Sequence, residues 1–159
     1  MSKSLYLLRH AKAIAEEGLV SDLDRSLSES GIKDANRLAQ KLAKKELSLD
    51  LVLMSPAART ISTGQIISNG LGIPHSHLLV NEKLYAAEPL TLLEIISSVP
   101  KKMNQLMIVG HNPSLMNLAS LLTGESLSMG TCSLIKFSFD FKDWHEIFTQ
   151  KASKFNLLN

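Results

Sequence analysis

A chain of 159 residues, 45% hydrophobic and 20% charged, fits one globular domain, 1–159, and is too apolar for a disordered or collagen-like class. Its formal net charge of +2 argues against nucleic acid or a membrane surface as partner unless the cations are focused in one cleft. With Cys132 as the single cysteine there is no internal disulfide and no Cys-x-x-Cys site. No apolar run approaches a membrane span, so a cytoplasmic, soluble domain is expected.

The first element is Leu5-Tyr6-Leu7-Leu8, which breaks off into Arg9-His10-Ala11. A short apolar run bounded by polar residues reads as a strand buried on both faces, with a piece of helix as the weaker alternative. Neighbouring side chains on a strand point to opposite faces, so Arg9 and His10 can share a site only where the strand ends. Lys12 to Ser26 reads as a loop. From Ser28, a possible N-cap, to Lys45, apolar residues recur at helical spacing (Ile32, Ala35, Leu38, Ala39, Leu42), and the lysine-rich end suits a helix C-terminus.

Asp50 to Met54 is the second strand, followed by Ser55-Pro56 as N-cap and N1 of a helix running to about Gly70 or Gly72. Arg59 in its first turn opposes the helix dipole, an odd choice for stability but well suited to holding an anion. His77 to Asn81 is a third strand of edge character. His75 and His77 lack the further ligands a metal site needs, so no metal is expected. After a loop at Glu82–Glu88, a short helix runs from Pro89 to Ser98. Leu106 to Gly110 repeats the strand pattern and ends in His111-Asn112-Pro113, with Asn112 as N-cap and Pro113 as N1 of a helix through Leu122.

Beyond Gly124 the pattern alternates, with Leu134, Lys136, Ser138 and Asp140 on one face and Ile135, Phe137, Phe139 and Phe141 on the other. A hairpin partner is expected at Trp144–Thr149, and the tail from Lys151 carries no signal. The architecture expected is α/β: a three-layer α/β/α sandwich with a mostly parallel central sheet and an antiparallel C-terminal edge. In such a sheet the strands' C-terminal ends lie on one edge. Arg9 with His10, Ser55 with Arg59, and His111 would therefore converge. Two guanidinium forks and two imidazoles suit a phosphoryl group, and a neutral imidazole can attack phosphorus in line.

Leu-Leu-Arg-His-Ala at 7–11, Ser-Pro-x-x-Arg-Thr at 55–60 and Val-Gly-His-Asn-Pro at 109–113 resemble the histidine phosphatase (phosphoglycerate mutase-like) superfamily. The short length, Asp-Arg-x-Leu at 24–27, Gly31 and Asp34-Ala35 are similar to its branch of small SixA-type phosphohistidine phosphatases. The resemblance implies that His10 is the nucleophile, that Arg9, Arg59 and His111 bind the phosphoryl oxygens with Ser55 and Asn112 beside them, and that no cofactor or metal is required. Where the superfamily carries its proton donor this chain has Ala86, with Glu82 and Glu88 as nearby candidates. A weak acid position favours a P–N substrate, phosphohistidine on a partner protein, because an imidazole leaves more readily than an alkoxide. A phosphatase for small phosphomonoesters and a non-catalytic phosphate-binding regulatory module on the same fold are the competing readings.

Overall fold

The apolar runs form strands because each alternates its side chains between two cores. β1 (Lys3–Arg9), β2 (Leu51–Met54) and β4 (Gln105–Gly110) are buried along nearly their whole length. In the computed structural model, which describes residues 2–15, 18 and 20–159, they join β3 (Leu78–Val80), β5 (Leu134–Phe139) and β6 (Lys154–Leu157) in one sheet. Its order is β3-β2-β4-β1-β5-β6. The first four strands in that order pair in parallel, while β5 runs antiparallel to both β1 and β6. The mixed sheet with a parallel centre is the architecture expected from the sequence.

Leu5, Leu7, Leu53 and Ile108 face one layer with Leu92, Ile96, Leu115 and Leu118, from helices α3 (Pro89–Ser97) and α4 (Ser114–Thr123). Tyr6, Leu8, Val52, Met54 and Val109 face the other, with Ala35, Leu38, Leu42 and Ile67 from α1 (Glu29–Lys44) and α2 (Ala58–Leu71). Burying each leucine or isoleucine fully contributes about 1.5–3 kcal/mol, so the two layers supply most of the driving force. The Ser28 hydroxyl caps α1 by accepting the Gly31 N–H at 3.1 Å. Gly72, at φ +68, ends α2 in the left-handed conformation that glycine adopts without strain.

Three local expectations are corrected. Ser55 does not cap α2: the helix starts at Ala58 with Ala57 before it, because the Ser55 hydroxyl is engaged by His111. Asn112 does not cap α4, whose N-cap is Pro113; the Asn112 amide donates instead to the Met129 carbonyl at 2.7 Å. Trp144–Phe148 is a 3-10 helix rather than a strand, closed by a reciprocal Asp143–Glu146 capping box that turns Trp144 and Ile147 into the core. The hairpin partner of β5 is β6, within the tail that carried no sequence signal. The loop expected over Lys12–Ser26 includes Glu16, Glu17 and Leu19, which lie outside the described residues; a 3-10 turn occupies Asp22–Asp24 within it. No helix among the described residues is long and apolar enough to cross a membrane.

Candidate active site

Arg9 is the last residue of β1, and its register partner on β4 is Gly110. His10 and His111 therefore follow immediately on two adjacent parallel strands, and their rings lie 5.4 Å apart, centroid to centroid. The chain leaving β1 is pinned from several sides. The His10 N–H donates to the Gly110 carbonyl at 3.2 Å, and the Cys132 N–H reaches the carbonyls of Arg9 and His10 at 3.1 and 3.0 Å. The Thr63 hydroxyl accepts the Ala11 N–H at 3.0 Å and donates to the Arg59 carbonyl at 2.7 Å, tying the β1 end to the helix that carries Arg59.

Arg9, His10, Arg59, His111 and Asn112 line one pocket of about 530 Å³. Ser55 is wholly buried behind it, with its hydroxyl 2.7 Å from Nε2 of His111. Glu82 opens a 3-10 turn and Glu88 is the N-cap of α3; neither lines the pocket, whereas Ala86 does. Sequence reasoning missed Asp22 and Tyr85, which also line it. Both sit in irregular segments where no periodicity marks a position. The one available signal was the neighbouring Asp24-Arg25-x-Leu27 pattern.

The Nδ1 of His10 lies 2.7 Å from the Ala11 carbonyl. A carbonyl only accepts, so Nδ1 carries the proton and Nε2 keeps its lone pair. Burial lowers the affinity of His10 for a second proton, and the charges of Arg59 and Arg9 lower it further. His111 is pushed down to about 4, by burial first and then by Arg59. Both rings are thus neutral near pH 7. Arg59 is 5% exposed, and its guanidinium is held by Asp22, through the backbone carbonyl at 2.7 Å and the carboxylate at 3.0 Å. Arg9 donates to the Met129 carbonyl at 3.1 Å.

The Nε atoms of both arginines are buried without a hydrogen-bond partner. A buried N–H left unpaired is costly. Asp22 is held far below the usual carboxylate range by the Tyr85 hydroxyl first, then by Arg59 and Arg25. It is ionised at any physiological pH. No cluster of three or more His, Cys, Asp or Glu side chains among the described residues could hold a metal ion.

Residues 5–107 match the profile of the histidine phosphatase superfamily (branch 1). A chloroplastic protein of Arabidopsis thaliana, itself uncharacterized, is 31% identical over 157 residues, covering 93% of this chain and 72% of the relative. Among solved structures, a candidate phosphohistidine phosphatase SixA from Agrobacterium tumefaciens superposes with a TM-score of 0.81 at 26% identity, covering 100% of this chain and 97% of its own. A protein histidine phosphatase SixA complexed with tungstate shares the fold, with a TM-score of 0.77 at 20% identity and coverage of 84% and 86%.

Proposed function

The chain belongs to the histidine phosphatase superfamily and is a phosphatase, and we propose that its substrate is phosphohistidine on a partner protein, hydrolysed through a covalent phosphohistidine at His10. The lone pair on Nε2 of His10 attacks phosphorus, the P–N bond to the substrate imidazole breaks, and the departing ring leaves neutral, its distal nitrogen carrying a proton taken from solvent. Water then attacks the phosphorus of phospho-His10, releasing phosphate and the neutral ring. Arg9 and Arg59, which line the pocket, hold the equatorial oxygens, over which charge is spread in the transition state.

One observation carries the choice of a P–N over a P–O bond. The carboxylate that lines the pocket among the described residues is Asp22, and it is held ionised. An ionised carboxylate has no proton to give a departing alkoxide, whereas the distal ring nitrogen of phosphohistidine takes its proton from solvent, so the imidazole leaves neutral without an acid in the pocket. The SixA proteins of known structure support the same reading by fold.

The test compares kcat/KM on a phosphoramidate and on an alkyl phosphate of similar size. The phosphoramidate should be preferred by at least ~100-fold, and His10→Ala should abolish turnover of both. Equal rates on the two substrates would sink the substrate assignment while leaving the phosphatase intact.

A further inference from the structure

An arginine can only donate. Where a terminal nitrogen of Arg59 meets Nδ1 of His111 at 3.3 Å, Nδ1 must therefore present a lone pair. The neutral ring then carries its single proton on Nε2, 2.7 Å from the Ser55 oxygen that accepts it. That oxygen also takes the Ala57 N–H at 3.3 Å, and Ser55 is 0% exposed. The nitrogen of His111 beside Arg59 thus has no hydrogen to offer, and an anion oxygen placed there would meet a second lone pair.

We propose that an oxyanion enters this pocket together with one proton from solvent, which settles on Nδ1 of His111, and that Ser55 is the positioning residue responsible, accepting from Nε2 before and after. The inference rests on the pocket being the phosphoryl site. The balance is simple: neutral ring, proton and oxyanion give an imidazolium donating from Nε2 to Ser55 and from Nδ1 to the anion. No covalent bond of the anion breaks, and the Arg59 N–H released from Nδ1 turns to the same anion.

The groups facing His111 explain why the proton is absent beforehand. Arg59 from α2, Arg9 and His10 from the end of β1, and burial all oppose a charged ring, and Asp22 only partly offsets them. A dianion among these groups reverses the balance, because an opposite charge at hydrogen-bond distance in a desolvated pocket strongly favours the protonated form. The competing arrangement is an exchange of tautomers, in which the Ser55 hydroxyl rotates to donate to Nε2 and the ring's own proton moves to Nδ1. That would take up no proton.

Tungstate, a tetrahedral dianion near neutral pH, separates these outcomes. Calorimetric titration near pH 7 in two buffers of different ionisation heat should give uptake of about one proton per tungstate bound. The same titration of His111→Gln should show binding without uptake. In the ¹⁵N spectrum, the His111 imidazole should be protonated on Nε2 alone in the free protein and on both nitrogens with tungstate. Ser55→Ala, whose buried Nε2–H has lost its acceptor, should shift the free ring toward the Nδ1–H tautomer and abolish the uptake, and Ser55→Thr should restore both. Binding with no uptake and a neutral bound His111 would overturn the proposal alone. Failure of tungstate to bind at all would overturn it together with the phosphoryl-site reading.

Discussion

Tyr85 donates its hydroxyl to the same Asp22 oxygen, Oδ2, that Arg59 holds at 3.0 Å. The other carboxylate oxygen, Oδ1, accepts from Arg25 at 3.0 Å. One side chain on a short 3-10 turn thus fixes a guanidinium that lines the pocket, and the chain 63 residues onward supplies its tyrosine partner.

Removing that carboxylate while keeping its shape should loosen Arg59. Asp22→Asn is expected to lower stability by about 1–3 kcal/mol, since a buried guanidinium loses its charged acceptor, and to lower kcat/KM about tenfold. Tyr85→Phe leaves the Arg59 contact in place and should cost less than ~1 kcal/mol. Urea denaturation and steady-state kinetics on the two variants check the order. A larger loss in Tyr85→Phe would contradict it.

Ala86 lines the pocket with φ +54, a conformation that aspartate tolerates better than most residues. Ala86→Asp places a carboxyl there away from the hydrogen bonds that keep Asp22 ionised. The ratio of kcat/KM on alkyl phosphate to that on phosphoramidate should rise by about 10- to 100-fold. An unchanged ratio means that no leaving group passes this position.

Gly31 lies in the first turn of α1, where alanine would ordinarily favour the helix by about 1 kcal/mol. Here an added Cβ would fall 2.1 Å from the Lys12 carbonyl oxygen, which also accepts from the Ser28 N–H at 2.9 Å and the Ser28 hydroxyl at 3.1 Å. The clash is with backbone, so it wins. Gly31→Ala should destabilise by about 1–3 kcal/mol and, because Lys12 borders the pocket, weaken oxyanion binding as well. Thermal melts and tungstate titration would read both effects.

The low proton affinity of the two site histidines makes stability depend on pH. Their ordinary value is 6.5, with His111 down to about 4 and His10 also lowered. Below ~6.5 the unfolded chain binds protons that the native state refuses, so the stability present above 6.5 is lost as pH falls toward 4. His111 alone accounts for roughly 3 kcal/mol of that loss. The urea midpoint should drop between pH 7 and pH 5, and less steeply in His111→Gln. A midpoint that rises on acidification would refute the assignment of neutral rings.

The parts legible in the sequence were those that repeat a unit. Three strands each followed by a polar turn and a helix brought Arg9, His10, Arg59 and His111 to one edge, because parallel pairing leaves those residues no other place to meet. The cap at Ser28 held, while those assigned to Ser55 and Asn112 failed because these residues have partners across space, His111 and Met129, which no local pattern reveals. Asp22 and Tyr85 were invisible for the same reason. β6 was missed because Phe155 is only half-buried while Lys154, Asn156 and Leu157 stay exposed; an edge strand with one inward residue leaves almost no period to read.

Because Arg9 and Gly110 are register partners, the interval between His10 and His111 is set by the spacing of neighbouring strands, about 4.8 Å, rather than by any loop. The two histidines are thereby gauged by a ladder buried along nearly its whole length. Losing that interval means breaking the sheet itself. Heat should therefore silence the protein at the temperature at which it melts, with no earlier inactive form in between.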